Sequence, residues 1–184
     1  MLISHNGLLD LIYNNIINAD VENVNSSSID ITLGNRLLIE TQPFDPNNRV
    51  VDISDKDQTI TTVEWFGVNG ESFTLLPGEC VLASSMETFN LPNHISAEYK
   101  LKSSMARNFL EHLNAGWCDA GWHGSKLTLE LKNMNQYHAL VIHPGMKIGQ
   151  VVFFSHEPVP DEKSYAVRGQ YNGDQSVQKS KGVK

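Results

Sequence analysis

The sequence predicts a mainly β fold, a β-sandwich or jelly roll, with one short helix at the N-terminus and another near residues 103–110. Short apolar runs of strand length recur along the chain, and glycine, proline and asparagine turns separate them. Helical spacing of apolar residues is confined to two brief stretches. At 184 residues and 40% hydrophobic content, the chain is large enough to bury one core of its own, so a single domain is expected.

Leu8, Leu9, Ile12 and Ile16 recur at helical spacing, which predicts a short amphipathic helix over 6–17 packed on the outside of the rest. Strands are expected at 27–34, 36–40, 72–78, 80–85, 96–101, 126–132, 138–142 and 147–154. Pro77-Gly78 and Pro144-Gly145 sit between apolar strands as structural turns, because Pro pre-sets one turn dihedral and Gly tolerates a positive one. The exception to the strand pattern is LKSSMARNFLEHL (101–113), where serines at the N-cap position precede Met105, Ala106 and Leu110. Apolar periodicity ends near residue 157. The chain therefore divides into a β domain with its N-terminal helix, 1–156, and a polar C-terminal segment, 157–184. That segment reads either as a frayed terminus or as a lid whose Tyr165, Arg168, Tyr171 and Gln175 stack on and hydrogen-bond to a ligand.

Fourteen basic against 21 acidic side chains give a formal charge of −7, the opposite of the electropositive footprint that a nucleic-acid polymer needs. A small phosphorylated substrate remains open, since a few cations and N–H groups in one pocket suffice. Cys80 and Cys118 form no C-x-x-C pair, so neither a redox motif nor a zinc knuckle is indicated. The N-terminus lacks the features of a secretion signal, and no apolar run approaches the roughly 18 residues that span a bilayer. A cytoplasmic protein with no membrane partner is the resulting expectation.

Three stretches carry candidate chemistry. In KLTLELK, Leu127, Leu129 and Leu131 face one way, while Lys126, Thr128, Glu130 and Lys132 face the other, so Glu130 lies on the polar face of a strand. A strand glutamate is ordinarily a solvated surface residue, and something further must single it out. In LKSSMAR, a serine-started helical turn aims free N–H groups at one spot, and Arg107 shares a face with Ser103 and Ser104. This is either a compact phosphate site or an ordinary N-cap beside a surface arginine. NAGWCDAGWHG (114–124) combines two tryptophans, glycines and Asp119, as suits a planar ligand approached by backbone, or equally a hairpin with core tryptophans. His112, His123, His138 and His143 show no H-x-x-x-H or H-E-x-x-H spacing, and the zinc-deaminase signature is missing.

The order SSIDITLGN, LKSSMAR, NAGWCDAGWHG, LTLELKN, PGMKIGQVVFF resembles the dCTP deaminase branch of the dUTPase-like superfamily, over most of residues 27–154. The resemblance implies a distorted β jelly roll of the dUTPase-like type, assembled as a homotrimer with active sites where subunits meet. It implies zinc-independent hydrolytic deamination of a deoxycytidine nucleotide, dCTP to dUTP and ammonia, in pyrimidine deoxynucleotide supply. Glu130 would be the general acid/base, with Ser103 and Arg107 completing the catalytic group. Lys102, Ser104 and Arg107 would contact phosphates, and Asp119 would bind the deoxyribose or an ordered water. The Ala115 backbone would help hold the attacking water, Thr128 and Gln150 would border the nucleotide, and Tyr165 would close over it. Magnesium would accompany the triphosphate rather than perform the chemistry.

The chemistry suits these residue types, because hydrolytic deamination needs a base to take a proton from water and an acid to protonate the ring nitrogen and the leaving amine. The chain departs from the family pattern at Lys102, where arginine is usual, and at Gln170-Tyr171, where Lys-Tyr is usual. Asp174 occupies the place of a family glutamine, with Gln175 one step out of register. These departures bear on how the phosphates are gripped. The competing expectations are a dUTPase using Asp119, a bifunctional enzyme that also cleaves dUTP, a dCMP-preferring deaminase, and a nucleotide-sensing regulator without turnover.

Overall fold

Leu8 and Leu11 bury one face of a helix, α1 (His5–Tyr13), against the β domain, and Asn15 ends it by turning left-handed at φ 56°. The predicted helix over 6–17 is therefore shorter. Ile17 leaves the helix and packs, fully buried, as a bridge partner of Phe89. The computed structural model describes residues 1–182, without the side chain of Asn48, so the last two residues of the expected 157–184 segment lie outside it.

The strands among these residues are β1 (Ile29–Glu40), β2 (Thr62–Phe66), β3 (Phe73–Leu75), β4 (Cys80–Asn90) and β5 (Ile95–Leu101), followed by the turn of helix α2 (Ser103–Ala106). After it come β6 (Leu110–His112), β7 (Trp117–Cys118), β8 (His123–Asn133), β9 (Leu140–Ile142) and β10 (Lys147–Ser155), then α3 (Tyr165–Arg168). Seven strands hydrogen-bond in the order β6-β8-β4-β1-β10-β5-β7, β2 joins β1, and β3 pairs separately with β9. All the pairings are antiparallel.

The runs 27–34 and 36–40, expected as two strands, form one strand that serves both halves of the sheet. Residues 29–32 pair with β10, and residues 36–40 pair with β2 and β4. Gly34 resembles a turn in sequence but is the point where β1 bends across β4. A Cβ there would lie 2.5 Å from the Ser84 hydroxyl and 2.8 Å from the Ser84 carbonyl. β4 is bulged opposite this bend, its pairing with β8 skipping from Ser84–Thr128 to Thr88–Lys126. The bulge turns Glu87 inward, where its buried carboxylate accepts hydrogen bonds from the Thr32 amide at 3.1 Å and hydroxyl at 2.6 Å. Alternation breaks at Met86-Glu87, which is why sequence pattern ends this strand at 85 rather than 90.

The helix expected near 103–110 is a single turn. Lys102 takes the N-cap position without a side-chain cap bond, so the serines lie inside the turn rather than capping it. Phe109 then adopts φ 60°, which stops the helix and lets Leu110 begin β6. β2, β6 and β7 are too short or too exposed to carry a sequence signal.

β8 keeps its predicted alternation: Leu127, Leu129 and Leu131 are buried, each contributing about 1.5–3 kcal/mol, while Thr128 and Glu130 are half-buried on the other face. At the β1–β10 seam, buried Asp30 accepts from Lys102 Nζ at 2.6 Å and Asn25 Nδ2 at 2.8 Å, with Lys147 Nζ 3.5 Å away. Burial raises the Asp30 pKa, but those hydrogen bonds and the two lysine charges outweigh it and hold the carboxyl below its ordinary 3.8.

A carboxyl with a depressed folded-state pKa stabilises above its unfolded value and ceases to as pH falls through its folded value. Asp30→Asn is expected to lower stability near neutrality by about 1–3 kcal/mol. The gap to the parent closes as pH falls below 3.8, which thermal melts across the acid range check. Gly34→Ala is expected to cost about 1–3 kcal/mol by forcing β1 away from β4, read as a lower urea midpoint.

Candidate active site

The polar face of β8 forms one wall of a cavity of about 660 Å³. Glu130 and Thr128 line it because strand alternation sends the neighbouring leucines into the core. Glu130 is pinned through its backbone: it pairs with Leu82 across to β4, and its carbonyl accepts from the Leu113 amide at 3.1 Å on the opposite edge. Its carboxylate Oε2 lies 3.2 Å from Nε2 of buried His112. The two atoms are in contact, but the angles fall outside hydrogen-bond geometry, and neither atom has a hydrogen-bond partner among the described residues.

The loop between β6 and β8 supplies a second wall. Ala115 and Asp119 both line the cavity, and Asp119 accepts from the Trp117 indole at 2.9 Å. The two tryptophans divide the alternatives between them. Trp122 is 7% exposed and packs on Phe89 at 5.3 Å as a core residue, whereas Trp117 is 58% exposed at the cavity edge.

The C-terminal segment packs along β8 and supplies a third wall. The Tyr165 amide donates to the Ala120 carbonyl at 3.0 Å, and the Tyr171 carbonyl accepts from the Trp122 indole at 2.8 Å. The Lys126 amide donates to the Asp174 carbonyl at 2.8 Å, and the Gln178 amide donates to the Thr128 hydroxyl at 3.0 Å. Tyr165 and Tyr171 thereby line the cavity, and burial raises the Tyr165 pKa, which keeps a neutral phenol there. Lys181 is already engaged, 2.7 Å from Asp174 and 4.8 Å above the Tyr171 ring. Gln175 does not reach the cavity; it is exposed and donates to the Gly124 carbonyl.

The remaining expected residues gather elsewhere. Ser103, Ser104 and Arg107 are exposed on and just after α2, and none of them lines the cavity. Lys102 is paired with Asp30, and Gln150 accepts from the Ser28 hydroxyl at 2.9 Å in the same polar cluster. Within one copy of the chain the expected residues thus fall into two separate groups. One carries Glu130, Thr128, Asp119 and Ala115, and the other carries the serine-arginine turn.

Sequence reasoning missed His112 as a neighbour of Glu130, weighing it only as a metal ligand. It also missed the segment between β1 and β2, whose Val51, Ile53 and Ile60 form an apolar wall, and Lys126 and Lys179, the two lysines of the lining. No helix among the described residues is long and apolar enough to cross a membrane.

The chain matches the family model described as dCTP deaminase-like over residues 3–156. It is 41% identical over 135 residues to a "dCTP deaminase, dUMP-forming" of Methanoregula boonei, covering 73% of this chain and 69% of that one. It is likewise 41% identical over 137 residues to a protein of the same description from Methanospirillum hungatei, covering 74% and 70%. Among solved structures, a 2′-deoxycytidine 5′-triphosphate deaminase from Agrobacterium tumefaciens superposes with TM-score 0.62 at 23% identity, over 83% of this chain and 47% of the other. That likeness bears on the fold, which is mainly β and jelly-roll-like with a short N-terminal helix, as the sequence predicted. With five motifs in family order and a family match across most of its length, the chain belongs to the dCTP deaminase-like family of the dUTPase-like superfamily.

Proposed function

We propose that this protein hydrolytically deaminates dCTP, with Glu130 as the general acid/base. Family membership places it among dCTP deaminase/dUTPase-like hydrolases of pyrimidine deoxynucleotides. The observation that carries the finer reading is a half-buried carboxylate, fixed on both strand edges, facing a cavity of nucleotide size. Glu130 takes a proton from water as the water oxygen bonds to C4 of the cytosine ring. It delivers that proton to ring N3, then takes the proton of the new C4 hydroxyl and passes it to the exocyclic amine, so that the C4–N bond breaks as the C4=O bond forms and ammonia leaves. Thr128 and Ala115 border the ring and the water, Asp119 meets the deoxyribose, and Tyr165 and Tyr171 cover the nucleotide. Residues 157–182 act as the lid.

The walls of the cavity within one copy bear four carboxylates, Glu40, Asp119, Glu130 and Asp174, against two lysines. A triphosphate needs more positive charge than this. Arg107 of a second copy supplies it, with Ser103 and Ser104 adding hydroxyl donors, in a homotrimer whose sites span two subunits. Exposed Phe109, Leu113 and Met134 beside α2 support a covered surface there. Magnesium arrives with the substrate phosphates. Among the described residues no three His, Cys, Asp or Glu side chains converge on a metal site, and no step of the reaction is routed through the ion.

A second reading extends the first: the 41%-identical relatives are named dUMP-forming, and Asp119 shares the cavity with Glu130, as a further hydrolysis at phosphorus requires. Incubation with dCTP, dCMP and dUTP, following ammonia and pyrophosphate together, separates the readings. Ammonia from dCTP alone supports deamination, and pyrophosphate accompanying it supports the longer reaction. Pyrophosphate from dUTP without ammonia from either cytidine nucleotide refutes the deaminase.

Glu130→Gln is expected to abolish ammonia release while nucleotide binding persists. The shared site makes a sharper prediction. Glu130→Gln and Arg107→Ala chains, each inactive alone, are expected on co-refolding to recover about a quarter of parental activity, since each site needs one intact half from each neighbour. Absence of recovery in properly assembled mixtures would place both halves in one chain.

A further inference from the structure

We propose that His112 is the positioning residue of the Glu130 carboxylate. The inference rests on Glu130 being the acid/base and adds the group that holds it. His112 is 5% exposed, and its Nε2 faces Glu130 Oε2 at 3.2 Å from the side away from solvent. The imidazole has little freedom to move. β6 is bracketed by two left-handed residues, Phe109 at φ 60° and Asn114 at φ 62°, and the Asn114 amide closes a tight turn onto the His112 carbonyl at 2.7 Å. Met134 donates to the Phe109 carbonyl and Leu113 to that of Glu130, so both ends of the short strand are tied to β8 or its continuation.

Beneath the imidazole lies the Tyr99 ring, 4.7 Å away between centroids and 2% exposed. Tyr99 occupies its place because position 149 has no side chain: a Cβ on Gly149 would lie 2.1 Å from the ring. Burial, with the Glu130 charge adding to it, drives the Tyr99 pKa upward, so its hydroxyl stays neutral beside the pair. The stack Gly149–Tyr99–His112–Glu130 thus runs from β10 through β5 and β6 to the cavity wall. A buried histidine that serves packing alone commonly places its ring nitrogens on backbone groups. Here the inner nitrogen meets a carboxylate that lines the cavity.

The role follows from the chemistry. Glu130 must present one oxygen first to water and then to the ring and leaving amine, and an unrestrained carboxylate spends most of its time in unproductive rotamers. Contact with His112 restrains Oε2 and leaves Oε1 to handle protons. The contact lies off the hydrogen-bond line, so it limits the carboxylate without locking it, as a proton shuttle requires.

The test uses steady-state kinetics on the assembled protein with dCTP, alongside dCTP binding and thermal melting. His112→Phe keeps a ring on Tyr99 but removes the nitrogen. Its kcat is expected to fall on the order of 10²-fold, with KM and dCTP affinity little changed. His112→Gln, whose amide reaches the Nε2 position, is expected to retain more turnover than His112→Asn, whose amide reaches only the Nδ1 position. Parental kcat in His112→Phe, or equal losses in kcat and affinity, overturns the proposal. If His112→Phe does not fold, the Gln and Asn pair decides, and turnover in His112→Asn equal to or above that of His112→Gln overturns it. An inactive Glu130→Gln beside a fully active His112→Phe refutes this role alone, whereas an active Glu130→Gln refutes the acid/base assignment itself.

Discussion

The position of Glu130 depends on β8 being hydrogen-bonded along both edges. An edge strand leaves one row of backbone groups to water and tolerates shifts in register. β8 has β4 on one side and β6 on the other, so a slip of one residue would break two ladders and turn Leu127, Leu129 and Leu131 out of the core. The buried leucine face therefore fixes where the carboxylate points. Thr128, two residues away on the same face, and His112 on β6, which meets the carboxylate, take their places from the same register.

That register in turn requires the bend in β1. β4 pairs with β8 on one edge and β1 on the other, and β1 carries the connection on to β10 and β5. Were Gly34 bulkier, β1 would stand off from Ser84, one residue before the bulge that sends Glu87 back to Thr32. The buried Glu87 carboxylate satisfies the Thr32 amide where the β1–β10 register shifts, a job that a strand partner does elsewhere. Burial raises the Glu87 pKa despite these bonds, so the clamp is made at an electrostatic cost.

The regular parts of this fold were legible in sequence because they obey a local period. The leucine alternation of β8 and the Pro-Gly turns before β4 and β10 needed nothing beyond neighbouring residues to identify. Features set by distant contacts were not legible. Gly34-Asn35 has the composition of a turn, and only the approach of Ser84 shows it to be a bend in a continuous strand. Leu110 has helical spacing from Met105 and Ala106, yet left-handed Phe109 and the partner strand β8 draw it into β6. Glu130, Thr128, Asp119, Ala115, Tyr165 and Tyr171 were named from motifs and meet at one cavity. The wall from Val51 to Ile60 has no periodicity and no motif. His112 was hidden for a different reason: its partner is 18 positions along the chain, and only the β6–β8 pairing brings them together.

On the proposed function, a site shared between subunits also accounts for the exposure of the serine-arginine turn. A cluster that must reach into a neighbour's cavity has to stand on the surface of its own chain, with its hydroxyls free of capping duty, and Lys102 rather than a serine takes the cap position. Lys102 is meanwhile held by Asp30, which neutralises it and fixes its stem, so on the proposed function the mobile cation offered to the phosphates is Arg107. The C-terminal segment meets the same cavity from the other side, and its Gln178 amide donates to Thr128, a residue proposed to border the nucleotide. With the segment acting as the proposed lid, its closure and nucleotide binding draw on one hydroxyl, which both donates and accepts. Thr128 can accept from the lid while donating to the nucleotide, so the closed lid orients that donor instead of competing for it.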